Sequence, residues 1–266
     1  MSLQYRINRH DIVIGDEICT GGQGKVYFTD KRLQSPDVSL VYKEYLPDAK
    51  NSLNLTTLSS MVAYLHNLNV ADAVKLLSIC AWPCYIVFDN DDAVGILMPK
   101  ASDNFYFDLK LPSGSTVRRI GEIQYLLTDN KYRARGGIFL NDPIRKKLLI
   151  KTAEALRFLH VRGIIVGDFS AKNMLFALTP TPKIFFLDCD SMMFRGKSVL
   201  PQAETPGWEY SPNSKVTSTT VESDHRKLAL LALRLFVGDQ ETRDYSLLAQ
   251  SKIDWLNKEI VPRLTK

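Results

Sequence analysis

No stretch of this 266-residue chain is apolar for long enough to cross a bilayer; the greasiest helical candidate, Leu228 to Val237, is short and carries Arg234. No apolar leader-like run follows Met1, and nowhere do five like charges stand in a row. Cysteine is scarce too. Cys19, Cys80, Cys84 and Cys189 form no paired CxxC pattern, and the Cys80/Cys84 spacing has no His or Cys partner nearby. That leaves no basis for a zinc site or a disulfide framework, and free thiols are expected. A basic patch and an aromatic platform are also missing, which argues against nucleic acid. These absences predict a soluble, cytoplasmic protein with no membrane partner. The positive excess is small, 34 Lys and Arg against 29 Asp and Glu, and scattered, which by itself suits an anionic small ligand as well as nucleic acid.

An apolar content of 45% is enough to bury one large core or two coupled lobes. The character of the chain changes near residue 100. Before it, Asp11 to Glu17, Lys25 to Thr29, Ser39 to Tyr45, Cys84 to Phe88 and Val94 to Met98 alternate or run apolar with β-branched residues, which predicts a small antiparallel sheet. One helix, Leu53 to Asn67, interrupts it, with Leu55, Leu58, Met61, Val62 and Leu65 at three-and-four spacing. Residues 100 to 140 are polar and give no period. Asp142 to His160 predicts a long amphipathic helix, with Asp142 and Pro143 at its start and Gly163 beyond its end. Ser223 to Val237 predicts a second helix, and Met174 to Leu178 with Ile184 to Leu187 predict a hairpin around "TPTPK". The fold class expected is α+β, with a β-rich lobe over residues 1–100 and a mainly helical lobe over 101–266.

Four short stretches carry chemistry. "IVGDFSAKNMLF", Ile165 to Phe176, sets Asp168, Lys172 and Asn173 between two apolar runs; in a plain turn, Asp168 and Asn173 would only cap local backbone. "ICTGGQGKVYF", Ile18 to Phe28, places Gly21, Gly22 and Gly24 between two strands. Glycine there lets backbone N–H groups approach a phosphate, although a glycine hairpin needs no ligand. "LVYKEY" puts Lys43 on the next strand, where alternation sends it toward the glycine loop. "KIFFLDCDSM" ends an apolar strand in Asp188, with Asp190 two residues on and, in an extended chain, on the same side. Carboxylates at a strand end, together with an Asp and an Asn on the preceding loop, supply the hard oxygen ligands that Mg²⁺ takes beside phosphate.

Together and in this order, these stretches resemble the protein-kinase family from about Asp11 to Val237. "CTGGQGKV" is similar to the Gly-rich loop, "VYK" to the strand-three Lys motif, "GDFSAKN" to the catalytic loop and "DCD" to the metal-binding DFG position. "AWPCYIVFDNDDAVGILMPK" and "LDCDS" also resemble a bacterial kinase-like branch. The resemblance implies a two-lobed fold binding ATP and Mg²⁺. Gly21, Gly22, Gly24, Val26, Lys43 and Met98 would contact the nucleotide, Asp168 would orient the acceptor hydroxyl, and Lys172 would neutralise the transferring phosphoryl. Asn173, Asp188 and Asp190 would hold the metal. Asp224 corresponds to the Asp that ties the catalytic loop down, and "TPGWEYSP" resembles a peptide-docking segment.

The resemblance implies a protein serine/threonine kinase with a protein substrate or regulatory partner. A pseudokinase acting as a nucleotide-binding module and a small-molecule kinase, whose loops often read "HGDxxxxN" and "DxD", are the alternatives. Departures from the family pattern bear on activity. Cys19 replaces the first loop glycine, Val166 and Gly167 stand where the family has His and Arg, and Asp190 replaces the Gly of DFG. No Glu occurs from Tyr45 through Gly121, so the helix acid that pairs with the lysine in the family is missing. A buried lysine must then borrow a carboxylate or turn to solvent, and Asp188 is the nearest candidate.

Overall fold

The computed structural model describes Tyr5–Gln202, Glu204–Glu209 and Thr219–Thr265. The chain is α+β and divides into two compact units, Met1–Ala101 with Asp188–Pro201, and Ser102–Leu187 with Gln202–Lys266. The first division falls where the sequence changes character, but the stretch after Leu187 returns to the first unit.

The first unit is built on a six-stranded sheet of β1 (Arg6–Asn8), β2 (Ile14–Thr20), β3 (Gly24–Gln34), β4 (Asp37–Tyr45), β5 (Tyr85–Asp89) and β6 (Asp92–Pro99), in the order β1-β5-β6-β4-β3-β2. The sheet is mixed and not antiparallel throughout, because β1 runs parallel to β5 with Arg6 opposite Ile86. Three helices lie between β4 and β5 where one was predicted: α1 (Pro47–Asn51), α2 (Leu55–His66) and α3 (Val70–Ile79). The Asn54 side chain caps α2 by accepting the Thr57 N–H at 3.0 Å, and Asn69 caps α3 by accepting that of Asp72 at 2.9 Å. Each cap is worth about 1 kcal/mol. Leu58, Met61, Val62 and Leu65 of α2 are buried, each worth about 1.5–3 kcal/mol, so packing outweighs capping in fixing this helix. Trp82 is fully buried, donates its indole N–H to the Met61 carbonyl at 3.0 Å, and meets Phe194 edge-on with ring centroids 5.9 Å apart. Phe194 and the bond from the Asn54 N–H to the Val199 carbonyl (2.8 Å) sew residues 188–201 into this unit.

The second unit opens with the hairpin β7 (Tyr106–Lys110) and β8 (Thr116–Ile120), then α4 (Asn130–Arg135), all within the stretch where no pattern was visible. Most of the hairpin's residues are exposed or half-buried, so neither face leaves an apolar stripe. α5 (Asp142–His160) has the predicted bounds. Asn141 accepts the Ile144 N–H at its start, and Gly163, at φ +71°, follows its end. The predicted hairpin forms from Met174–Ala177 and Lys183–Phe186, and α6 (Val221–Val237) begins two residues early, with Thr220 and Ser223 closing a capping box. α7 (Gln250–Trp255), a π-helical turn over Leu256–Ile260 and α8 (Val261–Thr265) end the unit. Among the described residues, no helix is long and apolar enough to cross a membrane.

Candidate functional site

In the first unit, strand register brings the predicted nucleotide contacts to one face. Val26 on β3 pairs with Lys43 on β4, and Met98 on β6 pairs with Val41, two residues from Lys43 and therefore on the same side of the sheet. β2 and β3 are joined by the glycine loop, which is closed by Thr20 opposite Lys25 and by a bond from the Gly21 N–H to the Gly24 carbonyl at 2.9 Å. The glycines have different reasons to be there. A Cβ on Gly24 would lie 2.5 Å from the Glu44 carbonyl oxygen, whereas one on Gly22 would meet nothing within 4 Å. Strand packing thus explains Gly24 and leaves Gly22 without a structural reason. Gly24→Ala is expected to destabilise the protein by about 1–3 kcal/mol through overpacking. Gly22→Ala should shift stability by less than about 0.5 kcal/mol and, if the loop meets a phosphate, weaken nucleotide binding alone. Thermal melts beside a nucleotide titration check both, and a Gly22→Ala variant with unchanged affinity would leave the loop a plain hairpin.

The Lys43 ammonium donates to Asp188 and to both oxygens of Asp190, the latter at 2.8 and 2.9 Å. Its side chain is 5% exposed, that of Asp190 0% and that of Asp188 33%. Burial works against the lysine's charge, but Asp190 and then Asp188 outweigh it and hold the ammonium above the ordinary lysine range. The expectation that Lys43 would borrow the Asp188 carboxylate therefore holds, and Asp190 joins it.

The chain around Asp190 is not extended, so the two carboxylates do not share a side by strand alternation. Asp188 sits at φ +55°, in the left-handed region that Asp tolerates better than most residues, and starts a 3₁₀ turn, Cys189–Ser191. Ser191 closes the turn by donating its hydroxyl (2.7 Å) and N–H (3.0 Å) to the Asp188 carbonyl. Cys189 is buried against Cys80 at the end of α3, and burial pushes its thiol up; all four cysteines are free.

The donors suit magnesium in a limited way. Among the described residues, no three of His, Cys, Asp and Glu gather into a cage. Mg²⁺ does not require one, since it binds through one or two carboxylates while phosphate and water complete the octahedron. Asp188, with its partly exposed carboxylate, fits that description.

In the second unit Asp168 is held from two sides. Its Oδ1 accepts the Thr205 N–H at 2.9 Å, and its Oδ2 accepts the Thr205 hydroxyl at 3.0 Å and the Asn173 amide at 2.7 Å. The backbone before it is pinned as well. The fully buried Asp224 carboxylate accepts the N–H groups of Val166 (2.8 Å) and Gly167 (3.0 Å) and bonds His160 Nε2 at 2.8 Å. Lys227 donates to the Gly167 carbonyl at 2.6 Å, and Phe169 lies buried between Phe186 and Trp208. Gly167 has φ +73°, a backbone conformation that residues with a Cβ rarely adopt, so the Arg that the resemblance would place at this position is disfavoured by strain.

Comparison with protein-family models and with curated proteins gave no match.

Of the sequence candidates, Val26, Lys43, Met98, Asp188 and Asp190 gather in the first unit, and Asp168 and Asn173 in the second. Lys172 is exposed and acts electrostatically on Glu122, whose carboxyl burial pushes up. Sequence reasoning missed Thr205 and Lys227. Thr205 opens "TPGW", a short polar turn with no period to mark it. Residues 210–218, which include the end of "TPGWEYSP", lie outside the described residues.

Proposed function

We propose that this protein is an ATP- and Mg²⁺-dependent phosphotransferase of the protein-kinase type, acting on serine or threonine hydroxyls of a protein. The observation that carries the reading is Asp168: a carboxylate oriented by Asn173 and Thr205, on a loop whose backbone is fixed by Asp224 and Lys227. Such a group is set to accept the proton of an incoming hydroxyl, and its fixed orientation removes the entropy of finding that geometry. Lys43 would meet the α- and β-phosphates, with the glycine loop turning backbone N–H groups toward them. Asp188 would hold the metal, which would supply neutralisation of phosphate charge when bound. Lys172, which is exposed, would add positive charge toward the transferring phosphoryl. A second reading, a nucleotide-responsive module without turnover, draws on the Lys43 ammonium being already met by two carboxylates.

Nucleotide titration with and without Mg²⁺, followed by transfer from [γ-³²P]ATP to the protein itself and to mixed Ser/Thr peptides, tests the reading. Saturable binding with label incorporation is expected, and binding without transfer would favour the second reading. Asp188→Asn should weaken Mg²⁺-dependent affinity while metal-free affinity stays put; an unchanged metal requirement would remove Asp188 from the metal site.

A further inference from the structure

The kinase resemblance gives Asp190 to the metal and looks to a helix for the acid that holds Lys43. The geometry points to a different division. We propose that Asp190 is a positioning residue, the fixed counter-ion that sets Lys43 for the nucleotide phosphates, and that this setting is independent of the helices. The inference rests on the phosphotransferase reading and adds to it how the lysine is held.

Three observations carry it. First, the helices offer no acid: α2 contains none, its buried face is Thr57, Leu58, Met61, Val62 and Leu65, and of the acids of its neighbours Asp48 is exposed and Asp72 half-buried. Asp48 lies in the first turn of α1, and Asp72, in the first turn of α3, is bonded to its own cap Asn69. Second, the two carboxylates on Lys43 differ in access. Asp190 is fully buried and spends both oxygens on the ammonium, whereas Asp188 uses one oxygen there and keeps a third of its side chain at the surface. A metal with phosphate and water in its shell needs the second kind of ligand.

Third, Asp190 is anchored from behind. It lies inside the one-turn 3₁₀ helix that Ser191 closes onto the Asp188 carbonyl, next to Cys189, which packs on Cys80. The Tyr45 ring flanks the ammonium, its centroid 5.8 Å from Lys43 Nζ. An ammonium has three donors. With Asp190 constant, Asp188 can exchange its contact with Lys43 for the metal, and the donor it vacates becomes available to a phosphate oxygen. The lysine is thereby preset within its own unit, and no helix has to swing inward to complete the pair.

The test uses the full chain with Asp190→Asn, Lys43→Met and the double variant. ADP affinity is measured by calorimetry in EDTA and across a Mg²⁺ series, with thermal melts of the nucleotide-free proteins. Asp190→Asn is expected to weaken metal-free ADP binding about tenfold, or 1.4 kcal/mol, to leave the Mg²⁺ concentration at half-effect unchanged, and to add no further loss in the Lys43→Met background. The double variant should melt above at least one single variant, because removing both charges leaves none buried alone. A raised Mg²⁺ requirement with unchanged metal-free binding would make Asp190 a metal ligand and overturn the proposal, as would independent losses that multiply in the double variant. If Asp190→Asn does not fold, recovery in the double variant supports the pair and failure to recover overturns it. Wild-type protein that binds no ADP would overturn the phosphotransferase reading, while the melts would still judge whether Lys43 and Asp190 act as a pair.

Discussion

On the proposed phosphotransferase reading, Asp168→Asn is expected to lower phosphoryl transfer by about 10²–10⁴-fold, the range general-base groups supply, with the loss in kcat and little change in ATP affinity. The substitution is nearly isosteric, so it separates chemistry from structure. The Asn carbonyl can still accept the Thr205 N–H, and the Thr205 hydroxyl can turn to accept from the new amide, but that amide would also face the Asn173 amide, and this hydrogen bond, worth about 1 kcal/mol, is lost. The fold should therefore survive with a slightly lower melting temperature. Single-turnover transfer from [γ-³²P]ATP, beside ATP titration of the same preparation, checks the prediction. Transfer at the wild-type rate would show that the carboxylate is structural, there to hold Thr205.

Asp224→Ala should have the largest effect on stability. Asp224 is fully buried and accepts two backbone N–H groups as well as bonding His160. Truncation leaves the Val166 and Gly167 N–H groups buried without that acceptor, at about 1–3 kcal/mol each. A total of about 2–6 kcal/mol is a large share of the 5–15 kcal/mol that ordinarily holds a domain folded. In a chain of this size it corresponds to roughly 5–20 °C in melting temperature. Amide hydrogen exchange at Val166 and Gly167 should quicken together, and any transfer activity should fall with it as Asp168 loses its support. An Asp224→Ala protein that melts with the wild type would mean that the two N–H groups find other acceptors, and that the loop does not depend on α6.

The sequence showed most where local chemistry decides. α5 has its predicted bounds because Asn141, Asp142 and Pro143 mark its start and Gly163 its end, and each acts within a turn of the helix. β1 could not be read: three residues, Arg6–Asn8, carry no alternation, and their parallel pairing depends on β5, some eighty residues away. α3 was hidden because Val70 and Val74 are apolar but exposed, which breaks the period just after Asn67 and Asn69. The β7–β8 hairpin was hidden by having no face buried enough to leave a stripe.

Much of the candidate site was legible as well. Lys43, Asp168 and Asp188 stand out because polar residues between apolar runs need partners. The part that stayed hidden turns on one dihedral angle. An extended chain would put Asp190 beside Asp188, and only the left-handed backbone at Asp188 reveals that the chain turns and carries Asp190 into the interior.

The first unit is assembled from two separate pieces of chain, and this governs how the protein can be taken apart. A fragment ending at Ala101 would keep the whole six-stranded sheet and the helices but lose residues 188–201. Trp82 and Tyr64 would lose Phe194, the start of α2 would lose its bond to Val199, and Lys43 would be left in the interior with neither carboxylate. The natural breakpoint in the sequence is thus a poor place to cut. A self-sufficient version of this unit has to carry the missing fourteen residues on a linker, joined after Ala101 or supplied as a complementing peptide.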